Sequence, residues 1–156
     1  MAEVSANLVD VYVFRRRGGG AVELLLLRRR PGARLGGTWQ AVHGKVEAGE
    51  SAWQTALREL REETGLAPTA FWQLESVNTF YMAAPDRVML CPCFAAEVDR
   101  RATVTLSDEH TEHRWEPAER AMAEFMWPGQ RQAVRELLEH IVTPSGAEPH
   151  LRIPLA

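Results

Sequence analysis

This chain is poor in cysteine and has neither a basic excess nor any apolar run of membrane length. The longest apolar run, Leu24–Leu27, ends in Arg28-Arg29-Arg30, far short of the ~20 residues that span a bilayer. Met1-Ala2-Glu3-Val4 lacks the basic-then-apolar order of a signal peptide. A cytoplasmic protein without membrane association is therefore expected. A formal charge of −3 argues against a dedicated nucleic-acid binder, whose surface is normally strongly basic. The only cysteines, Cys91 and Cys93, stand two apart in an apolar strand. They are badly oriented to bridge each other, and no second Cys/His pair completes a zinc site, so buried reduced thiols are expected. There is no internal repeat and no low-complexity tract.

The sequence does have the makings of one domain. It has 156 residues, 46% hydrophobic and 25% charged, which suits a single core over residues 1–143 with a peripheral tail over 144–156. Strands are expected over Val4–Phe14, Val22–Arg30, Phe71–Met82 and Arg87–Val98, with short pieces at Trp39–Val42 and Glu112–Glu116. Helices are expected over Ala52–Thr64, Pro117–Phe125 and Pro128–Val142. Strands interleaved with helices give an α/β or α+β domain.

The charge is unevenly spread. Residues 15–34 carry seven arginines against Glu23, and residues 47–63 carry five glutamates. A phosphate and the metal that neutralises it would suit such a pair of patches. On the helix Ala52–Thr64, Trp53, Ala56, Leu57, Leu60 and Thr64 form an apolar stripe. Glu59, Glu62 and Glu63, spaced i, i+3 and i+4, crowd another face. By itself that face reads either as a site for a hard divalent cation or as a solvated charged surface.

The flanking residues decide between them. Gly44, five residues, Glu50, seven residues, then Arg58-Glu59-Leu60-Arg61-Glu62-Glu63-Thr64-Gly65-Leu66 resembles the signature of the Nudix hydrolases at every restrained position. The resemblance implies a mixed β-sheet between helices with a loop–helix–loop box. It also implies cleavage of a diphosphate linkage with Mg²⁺ or Mn²⁺. Glu59 and Glu63 would be the principal metal ligands, with Glu62 and the Gly44 carbonyl contributing. Glu50, Arg58 and Gly65 would brace the box. Glu62, Glu63 or an acid further along the chain would act as the base.

Beyond the box, Ser107-Asp108-Glu109-His110 and the following Arg114-Trp115 resemble the subgroup acting on dihydroneopterin triphosphate and deoxynucleoside triphosphates such as dATP. Glu109 is the expected extra metal-reaching acid, with Glu112 its rival. Arg29 and His43 are candidates for phosphate or substrate contact, and Gln130 for base recognition. Trp127, Trp115, Phe80 and Tyr81 read as stacking platforms or as core. The expected partner is a small nucleotide or pterin triphosphate, cleaved to monophosphate and pyrophosphate. A different nucleoside diphosphate derivative, such as a dinucleoside polyphosphate or an oxidised nucleotide, and a non-catalytic nucleotide-binding module are the alternatives.

Overall fold

Successive side chains of a strand point to opposite faces of its sheet, so an unbroken apolar strand needs cover on both sides. In β3 (Val22–Arg29), Leu24 and Leu26 enter one core while Leu25 and Leu27 enter another. In β2 (Leu8–Arg16), Tyr12 and Phe14 join the first core, and Val9, Val11 and Val13 the second. Helix α1 (Ala52–Thr64) closes the second core through Ala56 and Leu60. Helices α2 (Ala118–Glu124) and α3 (Pro128–Leu137) close the first through Ala118, Ala121, Ala133, Val134 and Leu137. The result is the expected α+β arrangement, a mixed sheet between helices. The computed structural model describes residues 1–156, and no helix is long and apolar enough to cross a membrane.

The remaining strands are β1 (Glu3–Ser5), β4 (Trp39–Gln40), β5 (Val42–Lys45), β6 (Ala70–Met82), β7 (Arg87–Glu97) and β8 (His110–Pro117). β2 is central. It runs parallel to β7 on one edge; on the other it pairs antiparallel with β5 along its first half and with β3 along its second. β3 pairs in turn with β4 and β8. Helix α1 lies against β5 and β2, and its Glu63 reaches the start of β8, which pairs with the end of β3.

Several elements differ from expectation. The strand Val4–Phe14 divides at Ala6-Asn7, because β1 pairs with β7 alone and β2 then runs on to Arg16. The piece expected over Trp39–Val42 divides at Ala41 into β4 and β5, which runs on to Lys45, and β8 begins at His110, earlier than expected, because β5 and β8 pair with longer neighbours. The last helix ends in a π turn over Leu138–Val142. Residues 144–156, expected at the periphery, return along β6. Helix α4 (Glu148–Leu151) brings Leu151 into the first core, Trp72 Nε1 donates to Glu148 at 2.8 Å, and Ile153 N–H donates to the Phe71 carbonyl. Both cysteines are buried and unbridged.

Candidate active site

Helix α1 is well defined at both ends. Ser51 caps it reciprocally with Gln54, and Gly65 terminates it in the left-handed region at φ 70°, its N–H donating to the Arg61 carbonyl. Arg58 is the hub of the approach loop. Its guanidinium donates to Glu50 at 2.6 and 3.0 Å, to the Lys45 carbonyl at 3.1 Å, and to Glu59 and Glu62 at 2.9 and 3.1 Å. The Arg58 hydrogen bonds, followed by that from Thr55, hold the Glu50 carboxyl down at about 2.

The three box glutamates do not share one environment. Glu59 and Glu63 are buried, whereas the Glu62 side chain is 57% exposed and paired with Arg58. Gly44 on β5 lies directly against Glu59, so that a Cβ there would overlap the glutamate Cγ and Cδ. Only glycine lets this strand approach the helix so closely. Trp53, expected on the buried stripe, stays 43% exposed in the first turn.

Glu63 is the centre of an unusual cluster. Five buried side-chain polar atoms in the protein lack a hydrogen-bond partner; four are both Glu63 carboxylate oxygens, His110 Nδ1 and Arg29 Nε. The β3–β8 register sets Arg29 opposite His110, and the Arg30 N–H holds the Glu109 carbonyl. Glu63, Glu109 and His110 bring ligand atoms within 4.8 Å of one another. Burial, then the Glu109 and Glu59 carboxylates, push Glu63 up to about 10. Burial, then Arg29, push His110 down to about 4. Buried polar atoms are rarely left unpaired, and a carboxylate pocket with empty acceptor positions fits a divalent cation by its donor chemistry.

His43 sits on β5 beside Gly44 and meets Asp10 on β2, its register partner, at 2.6 Å. Burial opposes protonation of His43, but the Asp10 hydrogen bond and charge outweigh it and raise the pKa. Among the residues singled out from sequence, Gly44, Glu59, Glu63, Glu109 and Arg29 come together, with His43 beside them. Glu112 turns instead to Arg28 and Arg114. Gln130 caps α3 by accepting the Trp127 N–H and makes no hydrogen bond or ion pair with the cluster. Trp115 lies under the Arg15 guanidinium at 4.3 Å, Tyr81 donates to Asp86, and Trp127 is half-exposed at the start of α3. Sequence reasoning missed two members of the site, His110 and Asp10. The Glu109-His110 pair was the available signal for the first. The second carries none, being a lone acid in an apolar strand.

Fold and site together define a helix–sheet–helix sandwich with a carboxylate cluster of divalent-cation type at the foot of a capped helix. The chain belongs to the Nudix family, with residues 6–137 matching the NUDIX domain. It is 37% identical over 128 residues to an octanoyltransferase of Myxococcus xanthus, spanning 81% of this chain but only 35% of that longer protein. It is 33% identical over 125 residues to the bis(5'-nucleosyl)-tetraphosphatase [asymmetrical] of Mus musculus, spanning 72% of this chain and 81% of the mouse protein. The solved E. coli dihydroneopterin triphosphate pyrophosphohydrolase superposes with a TM-score of 0.68 at 22% identity, covering 86% of this chain and 96% of that one. That last likeness is one of fold.

Proposed function

We propose that this protein hydrolyses a phosphoanhydride of a nucleoside polyphosphate with the help of Mg²⁺ or Mn²⁺. The observation that carries the reading is the buried, unpartnered carboxylate of Glu63 beside Glu59, Glu109 and Gly44. In this reading Glu59, Glu63, Glu109 and the Gly44 carbonyl hold the cation. Arg29, whose Nη1 lies 3.8 Å from Glu109 and whose Nε is unpartnered, and His43, steadied by Asp10, take phosphoryl oxygens. The bound cation supplies charge neutralisation and lowers the pKa of water. Glu62, exposed at the rim and engaged only by Arg58, is free to accept the proton from the attacking water. Glu50 and Arg58 keep the loop and helix in register for this work.

The likeness to the mouse tetraphosphatase puts a dinucleoside tetraphosphate first among substrates. Water adds to one phosphorus, the bridging oxygen departs, and asymmetric cleavage yields a nucleoside triphosphate and a monophosphate. The segment Ser107–Trp115 supports a second reading, a pterin or deoxynucleoside triphosphate cleaved to monophosphate and pyrophosphate. A panel of both substrate classes, scored by product identity, separates the two. Glu63→Gln is expected to abolish turnover with the fold intact, and wild-type hydrolysis by that variant would sink the site assignment. No product from any substrate would replace the enzyme with a nucleotide-binding module.

A further inference from the structure

The proposed cation is held by oxygen donors, yet a deeply buried nitrogen stands beside Glu63. His110 opens β8, and its side chain is 1% exposed. Its Nε2 faces the Gln40 side-chain carbonyl on β4 at 3.3 Å. A carbonyl oxygen only accepts, so Nε2 carries the hydrogen and Nδ1 presents a lone pair. That lone pair has no partner and lies 3.7 Å from Glu63 Oε1, itself unpartnered. The separation is too long for a hydrogen bond. Two lone pairs facing each other in the interior repel unless a proton or a metal cation lies between them.

We infer that His110 Nδ1 is a direct ligand of the divalent cation that Glu63 holds, making the site a mixed nitrogen–oxygen centre. The inference rests on the reading above that this pocket binds a cation, and it adds the donor set and the metal preference. At ligand bonds of 2.0–2.1 Å, two donors on one cation stand about 3 Å apart when adjacent and about 4.2 Å apart when opposite. The 3.7 Å between His110 Nδ1 and Glu63 Oε1 is within several tenths of an ångström of either spacing, so a small side-chain adjustment brings both atoms onto one cation. Gln40 acts as the outer partner that fixes the tautomer and ring angle of a ligating histidine. The exposed Glu109 can swing its carboxylate in from the solvent side. Imidazole favours transition metals over Mg²⁺, so the site should rank Co²⁺ and Mn²⁺ above Mg²⁺ by more than an all-oxygen site would.

The probe is Mn²⁺ alone, added to the full chain. Pulsed electron paramagnetic resonance should detect coupling to a directly bound nitrogen in the wild type and in His43→Ala, and should lose it in His110→Ala. Equilibrium dialysis should show His110→Ala weakening Mn²⁺ by roughly ten- to a hundredfold, with a smaller loss for Mg²⁺. Bound Mn²⁺ without nitrogen coupling in the wild type overturns the inference and leaves the cation reading standing. Coupling that survives in His110→Ala overturns it too. If the wild type binds no Mn²⁺, or Glu63→Gln binds it equally well, the cation reading fails and the inference with it. The wild-type spectrum alone is decisive should the His110 variant not fold.

Discussion

Glu63 places a carboxylate in the interior with nothing to accept from, an arrangement that normally costs stability. Its value of about 10 means that the cation-free fold holds a proton which the unfolded chain, at the ordinary 4.5, releases. Stability of the cation-free protein should therefore fall as pH rises between those values. Glu63→Gln, with no proton to lose, should flatten that slope and melt at higher temperature in the presence of a chelator. Adding Mg²⁺ at a hundredfold excess over its dissociation constant should stabilise the wild type by about 2.7 kcal/mol, or roughly 5–10 °C for a domain of this size. The variant should not respond. Thermal scans with chelator and with Mg²⁺ measure both effects. Residues were legible where their partners are near in sequence. Arg58 and Glu62 are four apart, whereas His43 meets Asp10 across 33 positions and His110 meets Gln40 across 70. No local pattern encodes pairs that the sheet register brings together.

Among the elements, α1 with its approach loop was the most legible, because caps, glycines and charge spacing act within a few turns. The Glu50–Arg58 pair locks loop to helix, and its pH dependence has a definite sign. Glu50 is depressed to about 2 from the ordinary 4.5, so its contribution is complete above pH 4.5 and disappears as pH falls through about 2. Glu50→Gln should be less stable than the wild type at pH 6 and should converge with it near pH 2, as acid-unfolding curves would show. Trp53 stays exposed although Ala52 beside it packs on the second core, because it stands at that core's rim, bordering a groove with Phe94 and Ile153. The early strand divided because its first three residues pair with β7 alone.

At the scale of the molecule, two cores back to back explain why the apolar strands tolerate no polar face. The final segment belongs to that packing. Leu151 lies in the first core, and Ile153 packs against the second. Deleting residues 144–156 should lower Tm, since burial of one leucine alone contributes about 1.5–3 kcal/mol, or roughly 3–12 °C. An unchanged Tm would mean that the tail is dispensable.

Composition and periodicity were enough to determine the class of fold and the helix that carries the carboxylates, because helix geometry and capping are local, and the resemblance of Gly44–Leu66 to the Nudix signature pointed to the family. Only the tertiary structure decided which glutamates turn inward, that Glu109 and not Glu112 reaches them, and that His110 Nδ1 faces Glu63 at 3.7 Å. The physical reason is strand register: pairing β8 with β3 and β5 with β2 brings residues distant in sequence into a site whose empty hydrogen-bonding positions no linear pattern records.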